Sequence, residues 1–512
     1  MKKSVLKLIV CISAVAAMSA FAQTQTAATS AAAPPATSPS AWEGWVKQAK
    51  NPTDWLNWGA DLRLRNEYVN NALTLSDKAV RHEQDYFRFR ERVWVGFTPV
   101  TNVTVNGRLA AEEREWMKPS NAGQYFEVNK TESRSGFEER YGILDLANVK
   151  WNNALDQPLS LTAGRQEIAM GDPDDCWLVM DGTPGDGSWT FFFDSIRATY
   201  EAKDIKTKFD LIYIYQNALP DEWVPTIGRS SDNTLPTGGT VKPYYLTEQN
   251  EQGVILYASN KSIQNAQIDG YFIYKGDHRT DTKLIVNGDN ADIYTFGAKI
   301  TGTPADHWFY SAEGAYQFGS KQDPMVLPAY VNSPSERREL GAYGGKAKLS
   351  YLFKDKLNSQ VSFIGEYLSG DDPNTKGKDE MFDVLWGRYP RWTELGTWSC
   401  ATETGGRYLQ MNNLGRVGVS WSIVPVKGTT FSAMYNALLA PESIPTRDTT
   451  SATTERFSRD GNFRGHFVQG ILKHQFNKNI SALVKGELLW EGDYYAQRDL
   501  MTFLRTELMF TF

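Results

Sequence analysis

The sequence predicts an all-β protein: a single transmembrane antiparallel β-barrel of about 18 strands, with short periplasmic turns and long extracellular loops. Three observations carry this expectation. Segment after segment alternates apolar and polar residues with a period of two, short and long connections alternate between those segments, and the last segment stops on an aromatic, Phe512, in a chain that opens with a secretory leader. Composition agrees. A chain of 512 residues with 41% hydrophobic, 13% aromatic and 22% charged residues fits neither a helical membrane bundle nor a disordered protein. Length alone suggests several soluble domains, yet 41 Gly, 24 Tyr, 25 Phe and 16 Trp against 3 Cys fit one large β-structure better.

At the N-terminus, Lys2, Lys3 and Lys7 precede an apolar run from Leu8 to Ala17, and Ala20-Phe21-Ala22 supplies the small residues of a cleavage site. The run is too short to span a bilayer, so residues 1–22 read as a signal peptide cut near Ala22. Its loss removes three of 54 basic residues and no acidic ones, leaving 51 against 60 and a net charge of -9. That balance argues against a nucleic-acid partner. Residues 23–54 read as a flexible periplasmic segment: an Ala/Thr/Ser/Pro stretch with Pro34, Pro35 and Pro39 cannot bury enough apolar surface to order itself. Trp42, Trp45 and Val46 then suggest a short amphipathic helix, packed at the periplasmic rim or acting as a pore plug. Residues 55–512 make the barrel.

A strand that crosses lipid at a tilt needs roughly 9 to 11 residues, apolar toward lipid and polar toward the lumen. In residues 58–68, Trp58, Ala60, Leu62, Leu64 and Tyr68 alternate with Asp61, Arg63, Arg65 and Glu67. In residues 86–97, Phe87, Phe89, Val93, Val95 and Phe97 face one way and Arg88, Arg90 and Arg92 the other, with Glu91 the single defect. Three stacked arginines in lipid would cost about 2 to 4 kcal/mol each near the midplane, so they must face water or carboxylates. Comparable segments follow at 103–115, 142–152, 159–168, 191–201, 206–216, 251–260, 266–276, 291–302, 307–319, 339–352, 359–369, 411–423, 429–437, 464–476, 480–491 and 499–512.

Tight turns at Thr98-Pro99, Ala202-Lys203-Asp204, Thr303-Pro304 and Asn477-Lys478 alternate with long stretches near 117–140, 169–190, 217–250, 370–410 and 438–463. The rhythm is that of periplasmic turns opposite outer loops, with both termini periplasmic. Cys176 and Cys400 fall in two of the long loops, where an oxidising compartment permits either a disulfide between them or two separate thiols. The last segment, with Leu504, Leu508, Phe510 and Phe512 alternating against Arg505, Glu507, Met509 and Thr511, resembles the closing strand that barrel-insertion machinery reads through its terminal Phe.

Several strings resemble one family, the alginate-export type of outer-membrane barrel. Leu161-Thr162-Ala163-Gly164-Arg165-Gln166-Glu167, then Gly171-Asp172, then Phe192-Phe193-Asp194-Ser195-Ile196-Arg197 is similar to its Gly-Arg-Gln-Glu, Gly-Asp and Phe-Asp-x-x-Arg pattern. Ser369-Gly370-Asp371-Asp372-Pro373, with Phe382-Asp383 and Leu385-Trp386-Gly387, resembles a later loop of such proteins. The resemblance implies a monomeric 18-stranded barrel conducting an anionic polysaccharide past arginines. The chain departs from the family after Gly171-Asp172, where it reads Pro173-Asp174-Asp175-Cys176 instead of a basic continuation.

Strand phasing turns Arg63, Arg65, Arg88, Arg90, Arg92, Arg108, Arg197, Lys346, Lys348, Arg416, Lys485 and Arg505 inward, together with Asp61, Glu67, Glu112, Glu313, Glu366, Glu487 and Glu507. Arg165 and Asp194 join them through the family pattern, not through alternation. Clustered guanidinium groups would concentrate an anion and grip carboxylates two bonds at a time, while neighbouring acids keep that grip weak enough for conduction. The alternative is that opposite charges merely cancel along the wall. No inward Ser has a His to activate it, no Cys or His spacing suggests a metal, and no phosphate loop is present, so neither an enzyme nor a cofactor is expected. Asp371, Asp372, Asp379, Glu380 and Asp383 read as a solvated acidic loop. The expected function is a channel for an anionic polysaccharide or a smaller anionic solute. The alternatives are a general or carbohydrate-specific porin, or a barrel anchoring loops that bind a surface partner. Outer-membrane lipid is the expected surrounding, and secretion proteins at the periplasmic face are further candidate partners.

Overall fold

In a computed structural model of the chain, the described residues are 41–79, 82–118, 136–170, 178–180, 192–219, 246–280, 288–333, 336–387, 391–404, 411–447 and 455–512. The leader, the Pro-rich stretch 23–40, the Gly171-to-Cys176 departure and hence one end of the anticipated disulfide lie outside them.

Alternation this regular leaves the backbone one way to satisfy both lipid and its own hydrogen bonds, namely a closed sheet. The strands are β1 Leu56–Asn70, β2 Glu83–Val100, β3 Val103–Lys118, β4 Gly136–Trp151, β5 Leu159–Gln166 and β6 Phe193–Ala202. Next come β7 Thr207–Gln216, β8 Gln249–Asn260, β9 Ala266–Arg279, β10 Asn290–Ala305, β11 Trp308–Gln322 and β12 Arg338–Leu352. β13 Gln360–Leu368, β14 Leu414–Val426, β15 Thr429–Leu439, β16 Phe463–Asn477, β17 Ile480–Glu491 and β18 Leu500–Thr511 complete the set. Each pairs antiparallel with the next, and β18 returns to β1 in a register running from Asp61 opposite Thr511 to Asn70 opposite Thr502. The seam is finished by the last residue, whose amide donates to Ala60 O at 2.8 Å.

The barrel has the 18 strands the alternation predicts, and the boundaries differ where water replaces lipid. β4 starts six residues before the expected 142, because the ladder continues above the apolar band. β14 starts at Leu414 and not 411, because Asn413 takes a left-handed φ of 47° that ends the preceding loop.

The two faces separate by chemistry. On β2, Phe87, Val93, Val95 and Phe97 are exposed on the outer face while Arg88, Arg90 and Arg92 are buried. Glu91 stands among the apolar residues of the outer face, opposite Leu62 and Ala111. Aromatic pairs mark the periplasmic rim: Trp55 meets Phe97 edge-on at 5.5 Å and Trp58 packs on Phe512 at 5.0 Å. A helix, α1 Ala41–Lys50, sits at this rim, where Trp58 Nε1 donates to Ala49 O at 2.6 Å and Lys50 Nζ lies 5.6 Å from the Phe512 ring centre.

Described residues of the long connection 369–413 occupy part of the outer half of the lumen. Inward-facing Ile212, Ile214, Ile255, Ile273 and Ile293 build one apolar cluster with Phe382, Leu385, Trp386, Leu395 and Trp398 from residues 369–413. That segment turns into the barrel, forms α2 Glu394–Glu403, and lays Trp386–Gly387 parallel to Val179–Met180. The solvated-loop reading therefore fails for three of its acids: Asp371, Asp379 and Asp383 are buried, the first two on Arg338 and the third on Lys321. Five large apolar side chains between 382 and 398 gain more by burial, about 1.5 to 3 kcal/mol each, than the loop would gain by staying in water.

An epitope inserted after Asp460, in an exposed outer connection, should be bound by antibody on intact cells. One inserted after Lys354, in a short periplasmic turn, should be bound only after the outer membrane is opened. The reverse pattern in whole-cell immunofluorescence would show the barrel to be inverted.

Candidate functional site

Register decides what each inward charge meets. The pairs Asp61 with Arg92, Glu67 with Arg505 and Arg65 with Glu507 are direct cross-strand neighbours, as are Arg90 and Glu112. Asp61 takes Arg92 on both oxygens, at 2.5 and 3.1 Å, and Arg90 at 3.4 Å. Glu67 accepts from Arg88 at 3.1 Å, Arg505 at 2.5 Å, Arg65 at 3.4 Å and the Tyr86 hydroxyl at 2.8 Å. Glu112 holds Arg88 at 2.5 Å, Arg114 at 3.0 Å and Arg63 at 3.7 Å, and Arg65 closes on Glu507. Arg63, Arg65, Arg88, Arg90 and Arg92 are all at most 8% exposed. The arginine row lies within the wall, clasped by carboxylates on both sides.

The motif residues also meet. Arg165 and Asp194 are opposite each other on β5 and β6, bonded at 2.9 and 3.1 Å, with the guanidinium 3.9 Å above the Phe192 ring centre. Gly164 has φ +114°, and a Cβ there would sit 2.3 Å from Ala147 O, so no other residue fits the bend that presents Arg165. Arg108 pairs with Asp145 at 2.7 Å and with Glu167. Arg197 pairs with Asp210 at 2.8 Å.

The remaining nominated acids hold the inward loop. Glu487 on β17 accepts the backbone N–H of Glu394 at 2.9 Å and of Leu395 at 2.9 Å, and the Thr393 hydroxyl at 3.0 Å. A carboxylate is thereby docked on a helix N-terminus, where free N–H groups and the helix dipole both favour it. Glu366 takes Arg391 from the loop at 2.5 Å and Arg416 from the wall at 2.9 Å. Glu394 meets Arg505 at 2.9 Å, and Glu403 meets Arg464 at 2.8 Å and the Tyr494 hydroxyl. Cys400 is buried on α2, its thiol directed at Asn412 Oδ1 at 3.7 Å, and burial followed by the charge of Glu403 pushes that thiol up to about 12.

Beneath the loop lies a cavity of about 1260 Å³. Ten lysines and arginines line it against three acids, Asp210, Asp269 and Glu507. Among the nominated arginines Arg197 and Arg416 reach this surface, as do Lys346, Lys348 and Lys485 from the wider inward set; Arg391 and Trp392 enter from the loop. Lys208, Lys299 and Lys473 were missed by sequence reading, although each sits on a correctly placed strand. Between the bases the wall is rich in hydroxyls, among them Ser259, Ser311, Ser362, Ser420 and Ser432.

The family described as alginate export matches residues 246–503, half of the chain. The chain belongs to the alginate export family. As a member it is a β-barrel of the bacterial outer membrane, of a family of export channels. Its barrel is similar to crystal structures of Acinetobacter baumannii OccAB1 (TM-score 0.51, 9% identity, 89% of this chain and 96% of that one) and OccAB2 (TM-score 0.50, 13% identity, 89% and 98%). At these identities the likeness concerns the fold. No curated protein matches the chain.

Two predictions concern the loop. Replacing Glu487 by Ala removes the anchor of α2 and should weaken docking by about 3 kcal/mol, taking charge-assisted bonds at about 1.5 to 3 kcal/mol each. The loop should then be cut by protease at lower urea, and single-channel conductance should rise while the barrel keeps its heat-modifiable gel mobility. The second concerns pH. Asp371 is pushed up to about 7, first by burial and then by the charge of Asp379. A carboxyl whose docked value is raised from near 4 contributes fully below about pH 4 and loses that contribution as pH rises through about 7. Protease access to residues 369–413 should therefore increase from about pH 5 to about pH 8, and Asp371→Asn should flatten the profile.

Proposed function

We infer that the chain is a passive outer-membrane channel for an anionic polysaccharide of the alginate kind or a smaller anionic solute. The observation that carries this reading is the charge of the cavity, ten bases against three acids on a hydroxyl-rich wall. In a narrow space of low effective dielectric, a unit-charge pair at 4 Å is worth about 4 kcal/mol against about 1 in bulk water, so an excess of fixed cations concentrates anions. The hydroxyls suit the rest of a sugar, and they also favour a second reading, a carbohydrate porin that takes neutral solutes. The conductive readings stand against a barrel that merely anchors surface-binding loops.

Several further assignments belong to this proposal. Residues 1–22 are removed on export, residues 23–54 are the periplasmic N-terminal segment that carries the rim helix, Phe512 is recognised by the insertion machinery, and the barrel acts as a monomer open to periplasmic secretion partners. A bridge between Cys176 and Cys400 would tie two outer segments together.

Purified protein in planar bilayers should give a reversal potential that favours chloride over potassium. Oligouronates should block the current at lower concentration than neutral oligosaccharides of equal length. Block by neutral sugars alone would favour the porin reading, and absence of conductance would favour the anchor.

A further inference from the structure

Cross-strand register sets Asp269, Lys299, Glu313, Lys346, Glu366 and Arg416 side by side on six consecutive strands, β9 to β14. Charge alternates along this belt, and its bases are engaged: Lys346 lies 3.2 Å from Glu313 and Arg416 2.9 Å from Glu366. Elsewhere on the cavity wall Lys208 reaches Asp210 at 3.5 Å and Lys485 reaches Glu487 at 3.2 Å. Lys348 and Lys473 differ. Lys348, one rung nearer the periplasm than the belt, has Ser311 and Ile364 as its cross-strand neighbours. Lys473, near the periplasmic end of β16, has Thr430 and Leu483. Both line the cavity, and among the described residues neither makes an ion pair; Lys261, which also lines it without one, lies exposed in the turn between β8 and β9 and not on a strand facing the lumen.

A mobile carboxylate that approaches Lys346 or Arg416 must displace a tethered one, held permanently at high effective concentration. At Lys348 or Lys473 it displaces water. An ammonium on a flexible stem is a strongly hydrated point charge, which holds an anion loosely and lets it go. That is the condition for a site that selects and still conducts. Hydroxyls of Ser311, Ser362 and Thr430 stand close by on the same surface to receive the sugar.

We propose that Lys348 and Lys473 are the selectivity-determining residues of the channel, taking the solute's carboxylates in turn at the periplasmic end of the cavity, while the other bases set the background potential. The proposal rests on the anion-channel reading above and names the groups that would carry it.

The test compares the full-length parent, Lys348→Gln/Lys473→Gln, and a control of equal charge change at two other cavity lysines that do not touch the inward loop's anchors, Lys208→Gln/Lys299→Gln. Each is measured in planar bilayers for reversal potential and for block by trigalacturonate and by maltotriose. Heat-modifiable gel mobility verifies that each variant has folded. The first variant should lose about threefold in chloride-to-potassium permeability ratio and about tenfold in trigalacturonate affinity, with maltotriose unaffected. The control should lose less than half as much, and Lys348→Arg/Lys473→Arg should restore selectivity. An anion-selective parent whose Gln variant keeps both properties would overturn the assignment, as would equal losses in the control, which would mean that only net charge matters. A parent without anion selectivity would instead defeat the channel reading, and this assignment with it.

Discussion

An inward charge on a barrel strand must meet either water or an opposite charge, and antiparallel register decides which. On one side of this barrel it places acids against bases: Asp61 faces Arg92, Glu67 faces Arg505 and Glu507 faces Arg65. Those pairs are buried, and leaving one member without its partner would cost about 3 to 5 kcal/mol. On the other side the register places Lys348 against Ser311 and Lys473 against Thr430, and space opens. The packed wall arises where complementary pairs stack on several successive rungs of adjoining strands, whereas around the cavity they form one belt with lysines set among hydroxyls beneath it. Arg505 and Lys485 join the two halves, since both also reach Glu394 on the inward loop. The loop is thus oriented by the same charges that knit the seam.

Charges orient this loop more than they hold it. Buried ion pairs roughly break even against the water they give up, whereas Leu385, Trp386, Leu395 and Trp398 leave water for an apolar cluster. The ten residues of α2 are too few for a stable isolated helix. Docking supplies what length does not. Thr393 caps the first turn, its hydroxyl accepting from the Gly396 amide at 3.0 Å, and Glu487 satisfies the two amides before it. The wall of the barrel thereby completes a helix that belongs to a loop.

The strands were legible because lipid imposes a local rule: each second residue must be apolar, whatever its partner strand. Phe87 to Phe97 shows that rule within eleven residues of sequence, with Glu91 the one exception. Pairing was not legible in the same way. Alternation turns Arg88, Arg90 and Arg92 inward, but whether they face solute or carboxylates depends on Glu67, Asp61 and Glu112, which belong to neighbouring strands at a register no single segment encodes. Residues 370–410 misled for a related reason. Their acids invited a solvated reading, although Leu385, Trp386, Trp392, Leu395 and Trp398 are more large apolar side chains than a hydrated loop would carry, and that excess was the available signal. Lys208 and Lys473 were passed over because a single lysine among serines makes no pattern until the strands beside it are known.

The distribution of roles bears on what family membership conveys. Gly164, Arg165 and Asp194, the residues most diagnostic of the resemblance, are occupied with one another: a left-handed glycine presents an arginine to the acid opposite it, over the ring of Phe192. That arrangement closes the outer end of the β5 ladder, where Arg165 and Gln166 are the last residues paired with β6, and none of the three residues lines the basic cavity. A motif of this kind can be kept wherever the barrel must be built, irrespective of the solute that crosses it. Lysines on strands whose neighbours are hydroxyls carry no such obligation to the fold, since exchanging one costs neither an ion pair nor a turn. On the channel reading proposed above, solute preference can therefore change at those positions under an unaltered architecture, and it is there, not in the shared pattern, that the chemistry of the solute is to be sought.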